Sequence, residues 1–146
     1  MPEILEVEAY RRLALLVVGR TISIVETPDE WFLKRGATPQ VVADALTGRR
    51  ITAVHRHGKV LLLESGGPTL GLRFGMTGRL LVDGKAAIEN LEWGGRRLDL
   101  AWERFGIQFR GGGRLWIDDP RRLGGVELEP DLKVLGPDVW ALGLVD

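Results

Sequence analysis

The sequence predicts a mainly β domain of the α+β class, a two-layer antiparallel β-sandwich of about eight strands flanked by two helices. Short runs rich in Val, Ile and Leu recur at close spacing with Gly-containing turns between them, which is typical of sandwich strands. Two stretches near the start have helical spacing instead. The length of 146 residues and the 45% hydrophobic content suit one domain with a substantial core.

Both helices are predicted in the first third of the chain. Residues 6–18 place apolar side chains on one face, and Gly19 supplies the positive φ that ends a helix. The apolar face is expected to comprise Ala9, Leu13, Leu16 and Val17. The second helix, 40–46, is expected to follow Thr38 as N-cap and Pro39 at the first helical position.

The strands are predicted from their β-branched and leucine-rich composition. Residues 49–57 and 59–64 form a predicted hairpin that reverses at Gly58, with Lys59 beside the turn. The other strands are predicted at 21–27, 70–72, 80–82, 96–109 and 115–117. The connection at 28–37 carries two aromatic residues, Trp31 and Phe32. Three aromatic residues of the later strands are expected in the core: Trp102, Phe105 and Trp116.

Composition excludes several classes of protein. The chain has no cysteine, which excludes disulfides and thiolate metal sites, and two histidines, His55 and His57, make a protein-built zinc site improbable. No apolar run is long enough to span a bilayer, and the start lacks the basic-then-apolar layout of a secretory signal. We therefore expect a cytoplasmic protein without a membrane partner.

Charge is unevenly distributed along the chain, although the formal net charge is zero. Residues 49–122 contain 14 Lys or Arg and 8 Asp or Glu, a balance of +6, and the flanks contain 6 basic and 12 acidic residues, a balance of −6. Such segregation suits a basic face that meets phosphate, and a solvated surface would also produce it.

The amino terminus reads Met1-Pro2-Glu3-Ile4-Leu5-Glu6-Val7-Glu8. Methionine before proline is normally removed, which leaves Pro2 with a secondary amine whose pKa of ~7.7–8.0 makes roughly a tenth of it nucleophilic at neutral pH. Such an amine can form an iminium with a sugar aldehyde carbon, and Glu3 beside it can donate or accept a proton. Many proteins begin Met-Pro, and a tautomerase would also use an amino-terminal proline, as a base.

Two later segments have the composition of functional loops. Glycines on both sides of Met76, in Arg-Phe-Gly-Met-Thr-Gly at 73–78, predict a tight loop that presents a flexible apolar side chain. The Asp-Pro-Arg-Arg-Leu-Gly segment at 119–124 offers Arg121 and Arg122, whose donor forks are planar and always charged. Taken singly, a core methionine and an ordinary turn with two exposed arginines would explain them.

Together these segments resemble the formamidopyrimidine-DNA glycosylase and endonuclease VIII family. The start resembles its Met-Pro-Glu-Leu-Pro-Glu-Val-Glu opening, and 56–62 resembles its Arg-(Arg/His)-(Ala/Gly)-Lys-Tyr-Leu-Leu stretch. Residues 73–78 resemble its His-Leu-Gly-Met-Ser-Gly, and 119–124 its Asp-Pro-Arg-Arg-Phe-Gly, in the family's order. The resemblance implies base-excision repair: a monomeric, nucleoid-associated DNA glycosylase with AP-lyase activity on oxidised bases in double-stranded DNA.

The resemblance also implies catalytic roles. Pro2 would attack the sugar C1′ and form a Schiff base, and Glu3 would move protons during ring opening, with Glu6 in support. Lys59 would contact the damaged nucleotide and its phosphate. No diffusible cofactor is implied in this chain.

The DNA contacts are implied in the same way. Met76 would enter the duplex where the damaged nucleotide was, as apolar wedges do beside an unstacked base. Arg121 would hydrogen-bond the orphaned opposite base, Arg122 would bind phosphate, and Leu123 would be a second wedge. Arg73 would lie at the family's active-site histidine position.

Departures from the family pattern leave open an alternative, a DNA-binding paralogue that has lost catalysis. Residues 4–5 lack the family's proline and its fixed φ. Arg73 replaces a histidine, and Leu123 replaces a phenylalanine that stacks better on bases. The family's His-Asp-His is Gly-Arg-Arg here, so Arg96 and Arg97 become candidates for its phosphate contacts.

The last motif, Leu-Gly-Pro-Asp at 135–138, resembles the family's junction between its N-terminal sandwich and a second, helical domain. We therefore expect a catalytic sandwich at 1–137 and the start of a linker at 138–146. In the family the second half carries a helix–two-turn–helix and a four-cysteine zinc finger that grip DNA, so zinc is expected there and not here. An isolated first half is expected to be weak or inactive on duplex DNA.

Overall fold

The computed structural model describes residues 4–86 and 100–131. In chain order its helices and strands are α1 (Ile4–Ala14), β1 (Ile22–Glu26), α2 (Pro39–Leu46), β2 (Ala53–His57), β3 (Val60–Glu64), β4 (Leu70–Arg73), β5 (Arg79–Val82), β6 (Lys85–Ala86), β7 (Glu103–Phe109), β8 (Arg114–Asp118) and β9 (Gly125–Leu128). Short 3-10 turns lie at Leu15–Val17, Glu30–Phe32 and Leu100–Trp102. Within these residues no helix combines the length and the apolar character that a membrane crossing needs.

The strands form two antiparallel sheets, in the orders β1-β7-β8-β5-β6 and β2-β3-β4-β9. Alternate residues of both sheets face one continuous core, as the two-residue period of a strand requires. The inward residues of the central strands are Leu61, Leu63, Leu70, Leu72, Leu80, Val82, Leu115 and Ile117. The predicted two-layer sandwich is confirmed, with nine strands in the described part of the chain.

The aromatic residues divide between the core and the surface of the five-stranded sheet. Phe105 is buried in the core, as predicted. Trp116 is also buried but lies outside the core cluster, with the Arg114 guanidinium 4.6 Å from its ring centroid. Trp102 is only partly buried.

Helix α1 begins two residues earlier than predicted and buries a face rotated from the predicted one, with Val17 common to both. Its buried side chains are Val7, Tyr10, Ala14 and, in the following 3-10 turn, Val17. The prediction was wrong for Leu16, which is 49% exposed. The Tyr10 ring packs on Phe74 with centroids 4.6 Å apart, and this aromatic contact turns the Tyr10 face of the helix toward the sheets.

Helix α2 confirms the predicted cap. The Val41 backbone N–H donates to the Thr38 hydroxyl oxygen at 3.2 Å, and Pro39 occupies the first turn. The N-cap and the proline are local signals, so the start of this helix follows directly from the sequence.

Two loops cross between the sheets at the same end of the sandwich. Residues 74–78 lead from β4 to β5, and residues 119–124 lead from β8 to β9. In one sheet β4 pairs with β9, and in the other β5 pairs with β8. Both loops therefore join the β4–β9 pair to the β5–β8 pair. We call them the first and second crossing loops.

The predicted hairpin reverses at the same end. His57 pairs with Val60, so Gly58 and Lys59 form a two-residue turn, and Gly58 has the positive φ of 59° that such turns favour. Val60 in turn pairs with Arg73, directly before the first crossing loop. Register therefore places Lys59 next to the first crossing loop, with the second crossing loop one strand further along the sheet edge.

Candidate nucleic-acid interface

The crossing loops contact each other through glycine backbones. A Cβ on Gly75 would lie 2.5 Å from the Leu123 carbonyl carbon, and Gly75 has a φ of +59°. A Cβ on Gly124 would collide with the Arg73 carbonyl oxygen. Both positions therefore require glycine, and the close approach lets the two loops present their other side chains on one surface.

Asp119 holds the second crossing loop from within. Its buried carboxylate accepts the Thr77 hydroxyl at 2.5 Å, which ties it to the first loop. The same Oδ1 accepts the backbone N–H groups of Arg121 and Arg122 at 3.2 and 3.1 Å. Oδ2 accepts the Gly124 N–H at 2.9 Å. A short carboxylate suits this position because its two oxygens can satisfy several turn N–H groups at once.

The loops expose the side chains that the sequence singled out. Met76 is 47% exposed and Leu123 is 46% exposed. Arg121 is exposed too, and in the described part of the chain its side chain makes no hydrogen bond or ion pair. The structure thus places the exposed apolar side chains of Met76 and Leu123 on the same surface as the exposed guanidinium of Arg121.

Arg122 is held more firmly than Arg121. It has a positive φ of 58°, and its Nε and Nη2 donate to the two carboxylate oxygens of Asp29 at 2.7 and 2.9 Å. Its guanidinium carbon lies 4.6 Å from the Trp31 ring centroid. The hydrogen bond from Arg122 holds the pKa of Asp29 below its ordinary value, and the Arg104 guanidinium, 3.4 Å from Asp29, lowers it further.

Arg73 is paired inside the fold. Its Nε and Nη2 donate to Oε1 of the buried Glu127 at 3.0 and 2.9 Å, and Arg35 lies 3.1 Å from the other oxygen. A carboxylate buried among apolar strands needs such partners, because leaving it unpaired would cost about 3–5 kcal/mol. The Arg73 charge is therefore largely compensated by Glu127.

Glu8 links helix α1 to the Lys59 turn. Its carboxylate accepts from Arg11 at 2.6 Å and from the Arg56 Nε at 3.2 Å. Arg56 also donates to the Gly58 carbonyl oxygen at 2.9 Å, one residue before Lys59. The hydrogen bond from Arg11, followed by the interactions with Arg56, lowers the pKa of Glu8 to about 2 against partial burial.

The proposed nucleophile and three other predicted residues lie outside the described residues: Pro2, Glu3, Arg96 and Arg97. Glu6 lies in the first turn of α1, where a carboxylate is favoured by the helix dipole. Glu8 follows Ile4 by four residues, about 6 Å along a helix axis. The start of α1 is therefore about one helical turn from the residue that contacts the Lys59 hairpin.

Sequence analysis missed the carboxylates that organise this surface. Glu8, Asp29 and Glu127 each pair with an arginine far away in sequence, so no local pattern marks them. Asp119 has a local signal, an aspartate before a proline turn. Across residues 4–86 and 100–131, no group of three His, Asp or Glu side chains could hold a metal ion.

Two antiparallel sheets with an N-terminal helix and two loops that cross between them match the first half of a solved DNA glycosylase in fold. The sequence matches the profile of the formamidopyrimidine-DNA glycosylase N-terminal domain over residues 1–126. The chain therefore belongs to the formamidopyrimidine-DNA glycosylase family.

Individual relatives resemble this chain in sequence and in structure. The chain is 34% identical to a formamidopyrimidine-DNA glycosylase of Cereibacter sphaeroides over 94% of its length and 30% identical to one of Solibacter usitatus over 100%. A Lactococcus lactis formamidopyrimidine-DNA glycosylase bound non-covalently to DNA with an AP site superimposes with a TM-score of 0.69 at 26% identity, over 86% of this chain and 44% of that chain. The chain covers 51% and 52% of the two sequence relatives, so it spans about half of their length.

Proposed function

We propose that this chain is the catalytic part of a base-excision repair glycosylase with AP-lyase activity on oxidised bases. The observation that carries the proposal is the convergence of three segments at one end of the sandwich: the Lys59 turn and the two crossing loops. Each segment matches a family motif, and Glu8 ties α1, which follows the proposed nucleophile, to the first of them.

The proposed reaction begins at the amino terminus. The unprotonated Pro2 nitrogen would attack C1′ of a flipped nucleotide, and the bond from C1′ to the damaged base would break. Ring opening, with Glu3 moving the proton, would give an iminium between the proline nitrogen and C1′. The iminium makes the C2′ proton of the sugar acidic, and loss of that proton would expel the 3′ phosphate by β-elimination. Loss of the C4′ proton would then expel the 5′ phosphate by δ-elimination.

The crossing loops would hold the DNA open for this reaction. Flipping a nucleotide costs a few kcal/mol of unstacking and unpairing. Met76 and Leu123 would fill the gap left in the duplex, and Arg121 would hydrogen-bond the base left without a partner. Lys59 would contact the phosphate of the flipped nucleotide, and damaged double-stranded DNA would be the substrate.

The proposal also divides the chain into a catalytic domain and the start of a linker. Residues 1–137 would form the catalytic sandwich, and 138–146 would begin a linker to a helical, zinc-binding domain. The relatives' greater length supports this division. Because nothing in the sandwich would then hold the other face of the DNA, we expect the 146 residues alone to excise bases from duplex weakly.

Borohydride trapping on abasic DNA tests the proposed chemistry. Reduction of the iminium would join the protein to the DNA, and mass spectrometry would find the adduct on Pro2 of chains that have lost Met1. We expect Pro2→Gly to trap at least about tenfold less, because its weaker primary amine replaces the secondary amine. Chains that retain Met1 should not trap, because their Pro2 nitrogen is an amide.

Two outcomes would contradict the proposal. An adduct mapped to a lysine would show another nucleophile. Absence of any adduct from Met1-processed protein that still binds abasic DNA would favour the paralogue without catalysis.

A further inference from the structure

Trp31 is an exposed aromatic residue that the proposed function has not used. It lies in the 3-10 turn Glu30–Phe32, where Phe32 is fully buried and anchors the turn to the core. The Trp31 side chain is 58% exposed. A large ring left in water at an anchored position is a feature of binding surfaces, because tryptophan is usually mostly buried.

Two cations lie over this ring. The Lys34 Nζ is 3.3 Å from the ring centroid and donates to the Trp31 carbonyl oxygen at 2.7 Å. The Arg122 guanidinium carbon is 4.6 Å from the same centroid. Cation–π contact and the hydrogen bond hold both charges at a fixed place beside the second crossing loop.

The arrangement leaves donors available. Arg122 uses Nε and Nη2 for Asp29, and Nη1 makes no hydrogen bond within the described residues. The Trp31 indole N–H, which can only donate, likewise has no acceptor among them. An arginine N–H, an ammonium and an indole N–H within one small patch match the oxygens of consecutive phosphates.

We propose that Trp31 and Lys34 form a DNA-backbone contact that extends the face of the crossing loops. The occupant is one strand of duplex DNA beside the lesion, the strand whose phosphate Arg122 would bind. The indole N–H donates to a phosphate oxygen, the exposed edge of the ring contacts the adjoining deoxyribose, and Lys34 contacts the next phosphate. This inference rests on the proposed function, since it needs DNA on the loop face.

A structural role for Trp31 makes a different prediction. If the ring only positions the Arg122 guanidinium, removing Trp31 has no effect once Arg122 is gone. If the ring contacts DNA, Trp31→Ala weakens binding even in an Arg122→Ala background. The double variant separates a DNA contact from support of Arg122. Adding Lys34→Gln to it removes the second cation that the ring holds, so any further loss caused by Trp31→Ala belongs to the ring itself.

The experiment measures binding of the 146-residue chain to a labelled duplex with a stable abasic analogue, by fluorescence polarisation at low salt. We expect Trp31→Ala to raise Kd about three- to tenfold, also in the Arg122→Ala background, which is the order of one lost hydrogen bond. Lys34→Gln should reduce the salt slope by about one. Ile24→Ala, 50% exposed on β1, is the matched control and should bind as wild type does.

The outcomes separate this inference from the proposed function. If wild-type protein binds the duplex and Trp31→Ala binds equally well, or loses nothing further beside Arg122→Ala, the Trp31 contact is refuted alone. If folded wild-type protein binds no DNA at low salt, the proposed function and the inference fail together. Thermal unfolding of each variant checks that it is folded, and Trp31→Phe, which keeps a ring but no N–H, should give an intermediate Kd.

Discussion

Glu8 connects two parts of the proposed site, the start of helix α1 and the Lys59 turn. It lies on α1, and its partner Arg56 reaches the carbonyl oxygen of Gly58 at the Lys59 turn. The Arg56 side chain is only 7% exposed, so this link is sheltered from competing water. A helix that begins at Ile4 is thus fastened to the hairpin within its first two turns.

The stability that Glu8 supplies should depend on pH. Its folded pKa of about 2 lies below the ordinary value of 4.5, so the stabilisation is complete above pH 4.5 and is lost as pH falls toward 2. We expect Glu8→Gln to lower the free energy of unfolding at pH 7 by about 1 kcal/mol, because solvent screening reduces the effect of the full pKa shift. Urea unfolding from pH 7 to pH 3 would measure the difference.

The difference between wild type and Glu8→Gln should narrow steadily as pH falls below 4.5. Glu64→Gln is the matched control, because Glu64 contacts His55 on an exposed surface and its removal should change stability by less than about 0.5 kcal/mol. A deficit in Glu8→Gln that stays constant down to pH 3 would show that the carboxylate charge is not the cause.

Residue roles could be predicted from the sequence only where a motif or a local turn carries them. The exposure of Met76 follows from its two flanking glycines, and the structure confirms it. The pairing of Arg122 with Asp29, 93 positions away, and of Arg73 with Glu127, 54 positions away, has no local signal. Such pairs form only when segments distant in sequence meet in the folded chain, as β4 and β9 do within one sheet, so a single sequence does not reveal them.

At the scale of elements, the crossing loops depend on each other. Thr77 of the first loop donates to Asp119 of the second, and Gly75 and Gly124 allow their backbones to approach. The observed path of each loop therefore relies on contacts with the other loop. The surface that carries Met76 and Leu123 should therefore respond to Asp119, a residue that DNA would not touch.

Asp119→Asn tests this dependence. The amide keeps one acceptor oxygen and places a donor where Oδ1 or Oδ2 accepts N–H groups. We expect the free energy of unfolding to fall by about 2 kcal/mol, the order of a lost buried hydrogen bond to a charged group. Hydrogen exchange at the Gly124 amide should accelerate in parallel.

Asp44→Asn provides the control, since Asp44 is exposed on α2 and, within the part of the chain that the structure describes, its side chain accepts only from Gln40. Its free energy of unfolding should stay within about 0.5 kcal/mol of wild type. If Asp119→Asn is equally harmless, the carboxylate does not organise the second loop.

Elements were predictable where local signals were strong. The Thr38 cap predicted the start of α2, and the Gly58 turn predicted the hairpin. The alternation along the strands predicted the sandwich. The buried face of α1 was not predictable, because Leu16 and Tyr10 compete for the core and the contact with Phe74 decides between them. The two-residue strand β6 is too short to show a period.

At the scale of the whole molecule, folding mixes charges that the sequence separates. Central arginines pair with carboxylates of the acidic flanks: Arg56 with Glu8, Arg114 with Glu26, Arg122 with Asp29 and Arg73 with Glu127. The segregation of +6 and −6 along the chain therefore gives less of a basic face than expected. DNA affinity should then depend on the shape and apolar tips of the loops as well as on charge.

The central claim is that the two crossing loops form a surface that fits DNA where a base is missing. The most direct measurement is the ratio of Kd values of this chain for an intact duplex and for the same duplex with a stable abasic analogue, at low salt. Wild type should prefer the abasic duplex, because Met76 and Leu123 can fill its gap without unstacking a base. Met76→Ala and Leu123→Ala should each lose most of that preference and keep their affinity for intact duplex.

Leu16→Ala is the matched control, an equally exposed apolar residue at 49% that lies in the 3-10 turn after α1. It should retain the wild-type ratio. A wild-type ratio near one, or a ratio in Met76→Ala and Leu123→Ala that equals the wild-type value, would contradict the assignment of the crossing loops as the DNA-reading surface.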